Sequence, residues 1–376
     1  MRIAQVAPLF ESVPPQAYGG TERVVSYLTE ELVRQGHQVT LFASGDSVTQ
    51  AELVAPCRRS LRLDDGCVDQ LAYHLLMLEQ VFARAADFDL IHFHIDYLHF
   101  PLSRRQRCAH LTTLHGRLDI PELPALYDEY REMPVVSISD AQRRPLPHAN
   151  WQGTVYHGLP TDLFAFHRRP GDYLAFLGRV SPEKRVDRAI EIAQRTGMRL
   201  RIAAKVDRAD RAYFQERIEP LLRSPRVEFL GEIGGKEKEE FLGGAYALLF
   251  PIDWPEPFGL VMIEAMACGT PVIAWRCGSV PEVMEDGVTG FVVDRMEQAV
   301  AAVERVSDLD RQTCRRVFEE RFSAPRMARD YLAIYRRLLE QPAALREVDG
   351  VAPRRAPALG DGQRGRTRPA ALLGKA

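Results

Sequence analysis

The chain has 376 residues, of which 46% are hydrophobic and 27% charged, with a formal net charge of −2. This composition predicts an ordinary globular protein long enough for two domains, and its near-neutral charge gives no electrostatic reason to bind nucleic acid. No apolar run approaches the ~20 residues of a membrane span. The six cysteines include no C-x-x-C pair, and the N-terminus turns polar too soon for a signal peptide, so we expect a cytoplasmic protein with reduced thiols.

Short β-type runs alternate with helical patterns through the first half of the chain. Arg2 to Ala7 predicts a first strand, and Thr21 to Gln35 predicts an amphipathic helix that stops at Gly36. A long helical stretch follows over Val68 to Ala86. The other predicted strands of this half are Gln38 to Ala43, Leu90 to Ile95, Leu111 to Leu114, Val135 to Ile138 and Gly153 to Tyr156.

The pattern restarts at the strand Tyr173 to Leu177, followed by a helix over Pro182 to Arg195 with Ser181 as its N-cap. This alternation predicts an α/β fold of two doubly wound, Rossmann-like halves that face each other across a cleft. The other predicted strands of the second half are Leu200 to Ala204, Val227 to Leu230, Ala247 to Phe250 and Val272 to Trp275.

We expect four segments. An N-terminal Rossmann-like domain covers residues 1–165 and a C-terminal Rossmann-like domain covers 166–325, with the connection near 160–171. A C-terminal helix over 326–342 is expected to pack back on the first domain. Residues 343–376 are rich in Ala, Pro, Arg and Gly and predict a disordered tail.

Two glutamates stand eight positions apart around a Pro/Gly turn. Glu264 lies inside an apolar run, so a helix there would be buried and its carboxylate would need a partner. Glu256 lies in the turn before it, where a helix start offers free backbone N–H groups to anions. An anion cradle beside a buried carboxylate suits a sugar nucleotide, although a core salt bridge and a surface turn would explain the same spacing.

The segment from Phe176 to Lys184, combined with Glu256 to Val272, closely resembles family 4 of the retaining glycosyltransferases, group 1 type. The resemblance continues through Gly278 to Glu282 and Gly290 to Val293. It covers roughly residues 1–340 and is strongest over 173–294. It implies the GT-B fold, in which two Rossmann-like domains enclose the site.

Arg179 and Lys184 flank a strand-to-helix turn, where two fixed cations can stabilise a diphosphate leaving group without a metal. The alternative is a solvated pair on a basic helix start. The resemblance implies diphosphate contact. Relatives often have Gly after this lysine, whereas here it is Arg185, which changes the loop or adds a charge near the phosphates. Lys205, at the end of another strand, is either a third cation near the nucleotide or a solvated strand end.

The resemblance also assigns roles around the two glutamates. It implies that Glu264 hydrogen-bonds ribose hydroxyls and that Glu256 lies near the hydroxyls of the donor sugar. The backbone of Phe258, Gly259 and Leu260 would approach the sugar and phosphates, and Gly259 suits this because it has no Cβ.

In the first half, the turn at Gly19 and Gly20 follows the first strand and opens a helix. It is not G-x-G-x-x-G, so dinucleotide binding is unsupported, and a plain surface loop is the alternative to the phosphate contact that the resemblance implies. His115 ends a predicted strand, and the resemblance implies a place in the catalytic cleft for it, in contact with the reacting sugar or the acceptor. A helix-capping or structural histidine is the alternative. His92 and His94 share a strand face but lack a third metal ligand, so we expect a structural role.

The resemblance, together with these residues, implies a retaining transferase in which the first domain binds the acceptor and the second binds the donor. It would move a hexose from a nucleotide diphosphate sugar to an acceptor hydroxyl, with no metal and no further cofactor. The acceptor is a glycan, a lipid or a small molecule, and a lipid acceptor would bring peripheral membrane contact. A related GT-B phosphorylase or epimerase and a non-catalytic sugar-nucleotide-binding protein are the alternatives. An NAD oxidoreductase would need the glycine fingerprint that is absent.

Overall fold

The computed structural model describes residues 1–16 and 19–340. Tyr18 and the predicted tail 343–376 lie outside these residues. The described chain forms two parallel sheets, each covered by helices on both faces. The alternation of strands and helices along the chain dictates this arrangement, because a parallel connection needs a crossover. No described helix has the length and apolar character to cross a membrane.

The first domain contains a seven-stranded sheet in the order β3-β2-β1-β4-β5-β6-β7. Its strands are β1 Arg2–Val6, β2 Gln38–Phe42, β3 Glu52–Val54, β4 Leu90–Phe93, β5 Ala109–Thr113, β6 Pro134–Ser137 and β7 Asn150–Thr154. Its helices are α1 Gly20–Arg34, α2 Gln70–Ala83, α3 Phe100–Ser103, α4 Leu123–Glu129 and α5 Asp140–Arg143.

The second domain contains a six-stranded sheet in the order β10-β9-β8-β11-β12-β13. Its strands are β8 Tyr173–Arg179, β9 Arg199–Lys205, β10 Val227–Gly231, β11 Ala247–Phe250, β12 Val272–Trp275 and β13 Gly290–Val293. Its helices are α6 Val186–Thr196, α7 Arg211–Tyr213, α8 Gly235–Gly243, α9 Leu260–Ala267, α10 Val280–Val283, α11 Met296–Arg305 and α12 Arg311–Arg321.

The chain crosses between the domains twice, and the two crossings are pinned together. Leu159 N–H donates to the carbonyl of Phe322 at 2.9 Å, and Ala324 N–H donates to the carbonyl of Leu159 at 2.8 Å. Gly158 allows this approach, since a Cβ there would lie 2.4 Å from the carbonyl oxygen of Ser323. The connection therefore fixes where the two sheets face each other.

The last described helix, α13 Ala324–Glu340, lies against α1 and β5 of the first domain. It begins two residues before the predicted start at 326. Its fully buried tyrosines, Tyr331 and Tyr335, extend their hydroxyl groups toward the first sheet, where they bond Thr113 and Gln5. The end of the described chain is thus part of the core beneath the first domain.

The predicted single helix over Pro182 to Arg195 is wrong at its start. A 3₁₀ turn covers Pro182–Lys184, and α6 begins only at Val186, because Arg185 adopts a left-handed conformation with φ 54°. Ser181 makes no side-chain cap. A non-glycine residue in this region costs of order 1–3 kcal/mol, which tertiary contacts must offset.

Candidate active site

The predicted site residues collect where the strand order reverses in each sheet. In the first domain this point lies between β1 and β4, and in the second it lies between β8 and β11. Ligands of doubly wound sheets bind outside the carboxyl ends of the strands at such points. The two edges face each other across the domain boundary, as contacts between Gly20 and Leu260 and between His157 and Phe258 demonstrate.

Lys184 and Glu256 form an ion pair at the second-domain edge. The Lys184 ammonium contacts the Glu256 carboxylate, which also accepts from the Trp254 indole N–H at 2.9 Å. The ammonium lies 5.0 Å from the centre of the Trp254 ring and 5.7 Å from that of Phe250. The side chains are 18% and 12% exposed, so both are held in place while remaining accessible.

Arg179 does not share a partner with Lys184. Its guanidinium lies 2.8 Å from Glu183, 3.6 Å from Asp207 and 3.8 Å from Asp210. Lys205, its register partner on β9, contacts the same Asp207 at 3.3 Å. Both basic groups are therefore charge-compensated by carboxylates in the described chain.

Arg185 pairs with other carboxylates than those that contact Arg179 and Lys184. Its guanidinium contacts Asp187 at 2.8 Å and Asp253 at 2.8 Å, and these two carboxylates raise its pKa. Arg185 has a left-handed backbone, and its charge is compensated by these two carboxylates.

Gly259 shapes the start of α9. Its φ of 79° is left-handed, and a Cβ there would lie 2.8 Å from Met262 Cε and 3.1 Å from Phe250 Cζ. No side chain caps this helix start. Phe258 is buried, and its carbonyl accepts from the hydroxyl of Ser279 at 2.8 Å, so the turn is fixed from behind. The free backbone N–H groups at the start of α9 can therefore attract an anion.

Glu264 lies inside α9 and is 3% exposed, as its apolar flanks predict. Its carboxylate contacts the Lys238 ammonium from α8 at 2.5 Å. A further neighbour is Tyr27 of α1 in the opposite domain, whose phenol pKa is raised by burial and also by the Glu264 charge. Lys238 was not predicted as a site residue, although it is one of only five lysines in the chain.

Gly19 and Gly20 begin α1 opposite that helix. A Cβ on Gly20 would lie 3.6 Å from Leu260 Cδ1, which places the turn beside the start of α9. A Cβ on Gly19 would lie 2.7 Å from Pro15 Cβ, so this position is closed to larger residues without a shift. The two glycines thus bring one helix start of each domain together.

His115 lies at the carboxyl edge of the first sheet in a cluster of imidazoles. Its Nε2 lies 2.9 Å from His94 Nδ1, and its ring stacks on His157 with centroids 5.3 Å apart. His157 in turn contacts the Phe258 ring of the second domain at 4.8 Å. Burial lowers the His115 pKa to about 3 and holds the pKa values of His94 and His157 well below their usual range.

The paired histidines His92 and His94 have hydrogen-bond partners that suit a structural role. His92 bonds the hydroxyls of Tyr335 and Thr113 at 2.7 and 2.8 Å, and His94 bonds Gln5 at 2.8 Å as well as His115. Within residues 1–16 and 19–340 there is no group of three or more His, Cys, Asp or Glu residues able to hold a metal.

Glu282 joins the two domains, a contact that the sequence did not predict. Its carboxylate accepts from the backbone N–H groups of Asp140 at 2.6 Å and Ala141 at 2.7 Å, where α5 begins. It also accepts from the hydroxyl of Tyr156 at 3.2 Å. One second-domain carboxylate therefore fixes the first-domain edge relative to the second domain.

Two family models match adjacent parts of the chain. The model for group 1 glycosyl transferases matches residues 165–320, and the model for glycosyltransferase family 4 matches residues 18–152. A curated relative, an uncharacterized glycosyltransferase of Methanocaldococcus jannaschii, is 24% identical over 339 residues, which are 78% of this chain and 85% of the relative.

Solved structures share the fold. AviGT4, a glycosyltransferase involved in avilamycin A biosynthesis, superposes with a TM-score of 0.71 at 26% identity, covering 90% of this chain and 98% of that one. The Anabaena protein HepE, solved in complex with UDP and glucose, superposes with a TM-score of 0.66 at 20% identity, covering 89% and 98%. Both similarities extend across the two domains.

Proposed function

Since this chain belongs to the group 1, family 4 glycosyltransferases and has their GT-B fold, we propose that it moves a hexose from a nucleotide diphosphate sugar to an acceptor hydroxyl, with retention of configuration. One observation carries the proposal. At the second-domain edge, accessible cations are paired with carboxylates beside an uncapped helix start, so a diphosphate and hydroxyl groups can replace those pairs.

Donor binding exchanges partners within the Lys184–Glu256 pair. The diphosphate accepts hydrogen bonds from Lys184 and Arg179, whose charges already lie at this edge before binding. Glu256, released from the ammonium, accepts hydrogen bonds from the hydroxyls of the sugar. The partial positive end of α9 adds to the attraction for the phosphates.

The Glu264–Lys238 pair stays intact when the donor binds. A ribose hydroxyl donates to Glu264, whose charge stays buried and paired with Lys238 in the same helix layer. Lys205, next to Arg179 on the sheet, adds a third cation at the diphosphate end. These assignments place the nucleoside at the α8–α9 side and the reactive carbon nearer His115.

The chemical step follows from these positions. The acceptor oxygen forms a bond to the anomeric carbon on the face from which the diphosphate departs, as the bond between that carbon and the phosphate oxygen breaks. The acceptor proton passes to the departing phosphate oxygen. The protein's cations stabilise the charge on the leaving group, so the proposal requires neither a metal nor a further cofactor.

Similarity to HepE, which was solved with UDP and glucose, supports a nucleoside diphosphate hexose as donor. The acceptor, a glycan, lipid or small molecule, would enter from the first-domain edge around His115. A lipid acceptor would bring the chain into peripheral contact with a membrane. All six cysteines are free in the structure, which supports a reducing compartment such as the cytoplasm.

A melting panel with UDP-, GDP- and ADP-hexoses tests donor binding. A donor at 100 times its dissociation constant should stabilise the fold by ~2.7 kcal/mol. The donor that raises Tm is then incubated with acceptor mixtures, with and without EDTA, and release of the nucleoside diphosphate is followed. Binding without transfer to any acceptor would favour the non-catalytic alternative, and loss of transfer in EDTA would refute metal independence.

A further inference from the structure

A buried hydrogen-bond path connects the C-terminal helix to His115. The Gln5 side-chain amide donates to the Tyr335 hydroxyl of α13 at 3.3 Å. Its oxygen lies 2.8 Å from His94 Nε2, and His94 Nδ1 lies 2.9 Å from His115 Nε2. Gln5 and Tyr335 are fully buried and His94 nearly so. The path starts on β1, which lies between β2 and β4 in the first sheet.

The chemistry of each group gives this path one direction. The Gln5 amide oxygen can only accept a hydrogen bond, so His94 carries its proton on Nε2. A neutral imidazole has a single N–H, and burial keeps His94 neutral, so its Nδ1 must accept. His115 therefore donates through Nε2, and its own Nδ1 is left with a lone pair and no proton.

The Nδ1 atom of His115 is buried and has no hydrogen-bond partner among the described residues, and the same holds for His157 Nδ1 beside it. A buried acceptor without a partner is destabilising, so native chains rarely leave one without a functional reason. Both atoms lie at the edge that touches Phe258 of the donor-side turn. A ligand group entering here would supply the missing partner.

We propose that Gln5 is a positioning residue: through His94 it holds His115 in the Nε2–H form, and so keeps His115 Nδ1 an acceptor for the hydroxyl of the reacting sugar that the family resemblance brings to this histidine. The proposal rests on the proposed function, since it names the partner of the first-domain edge. The class of ligand is a neutral polyol, because an acceptor lone pair attracts a hydroxyl proton and repels phosphate.

The tautomer matters most in the transition state. As the bond to the leaving group breaks, positive charge develops on the sugar ring, and a lone pair directed at the sugar stabilises it more than an N–H would. The opposite tautomer would present an N–H to the same hydroxyl, which a hydroxyl oxygen can still accept. Ground-state binding would therefore change little, and kcat would fall.

Gln5→Leu tests the path because it removes the acceptor facing His94 with little change in volume. We expect His94 to shift its proton to Nδ1 and His115 to become the Nδ1–H form, which ¹⁵N-labelled histidine resolves by NMR. The His115 signals are assigned from the spectrum of His115→Gln. At pH 8 we expect kcat to fall about tenfold with KM for the donor within twofold.

Gln5→Glu is the conservative variant, since at pH 8 its carboxylate also accepts from His94. It should keep the Nε2–H form and at least a third of kcat. Should Gln5→Leu not fold, the tautomer of His115 in the wild-type spectrum still tests the proposal. Gln80→Leu, on the exposed face of α2, is the matched control and should change neither spectrum nor rate.

Three results overturn the proposal: a wild-type His115 protonated at Nδ1, an unchanged tautomer in Gln5→Leu, or an inverted tautomer with unchanged kcat. The NMR measurement needs no substrate, so it tests the tautomer of His115 independently of the proposed transferase activity. A wild-type chain with the Nε2–H form that binds no nucleotide sugar refutes the proposed function and, with it, the role of the hydroxyl. An active wild-type chain with the Nδ1–H form refutes the tautomer alone.

Discussion

The two edges that face each other across the cleft differ in charge. The second-domain edge is a set of accessible ion pairs, in which Arg179, Lys184 and Lys205 are each matched by a carboxylate. The first-domain edge carries buried imidazoles that burial keeps neutral and that hydroxyl and amide groups orient. The second-domain edge carries charged groups that a ligand can bind, and the first-domain edge carries oriented dipoles without net charge.

This difference indicates how the work is divided. A leaving diphosphate needs cations to stabilise its charge. Before the donor binds, carboxylates compensate those cations, and the diphosphate then takes their place. A reacting sugar and a neutral acceptor need orientation, which uncharged hydrogen bonds supply without attracting the phosphates to the wrong domain. The predictions that follow test whether charge on one edge and neutrality on the other are both required.

Replacing Lys184 with Ala should have the largest effect. Loss of one preorganised cation at the leaving group should lower kcat about 10²–10³-fold, because transition-state charge loses its partner. Steady-state kinetics with the donor that raises Tm measure the change in kcat. The free energy of unfolding, measured by urea titration, should change far less. Lys236→Ala, an 84% exposed lysine with a weak 3.8 Å ion pair, is the control. Near-normal turnover in Lys184→Ala would remove the role given to this residue.

The Lys238–Glu264 pair should rank next. Lys238→Met leaves a buried carboxylate without its cation, which should cost about 2–3 kcal/mol of unfolding free energy after allowance for partial exposure. The double variant Lys238→Met with Glu264→Gln should recover much of that stability. It should not recover donor affinity, because Glu264 is proposed to hold the ribose. Recovery of both, by urea titration and calorimetry, would make the pair purely structural.

The neutral edge predicts a pH dependence of stability. Burial depresses the pKa values of His92, His94, His115 and His157, so the unfolded chain binds protons first. Stability should therefore fall as pH drops below ~6.5, by up to ~1.4 kcal/mol per imidazole for each pH unit. Urea titrations between pH 7.5 and 5.5 measure the slope.

His92→Asn should reduce this slope by about one imidazole's share, ~1.4 kcal/mol per pH unit at most. His148→Asn, which changes an exposed histidine, should leave it as it is. A flat stability curve over this range in the wild-type chain would mean that the imidazoles become charged in the fold, and the comparison between the two edges would lose its neutral half.

Arg185→Gly should have the smallest effect. Glycine removes the cost of the left-handed backbone but also removes the ion pairs with Asp187 and Asp253, so the unfolding free energy should change by less than about 1 kcal/mol. KM for the donor should stay within threefold, since the guanidinium pairs with Asp187 and Asp253 and not with the carboxylates that pair with Arg179 and Lys184. A tenfold rise in KM would place Arg185 among the phosphate ligands.

Much of the fold is predictable because the sheets are covered on both faces. β11 and β12 are buried at every position, so they appear in the sequence as unbroken apolar runs. The short edge strand β3 lacks such a run and was not predicted. The break at Arg185 was not visible either, because a left-handed arginine depends on Asp253, which lies 68 positions away along the chain.

The site was predictable one residue at a time but not as pairs. The apolar flanks of Glu264 indicated burial and the need for a partner, yet nothing local identified Lys238 on another helix. The alternation of His92 and His94 correctly put their rings side by side, at 4.1 Å. It gave no sign that one would bond the C-terminal helix and the other His115, since both links join distant parts of the chain.

The structure of the chain with its bound donor tests the central claim most directly. We expect the diphosphate oxygens within hydrogen-bonding distance of Lys184 and Arg179, with Glu256 turned to the sugar hydroxyls and Glu264 bonded to the ribose. A diphosphate bound elsewhere, with the Lys184–Glu256 pair intact, would contradict the account.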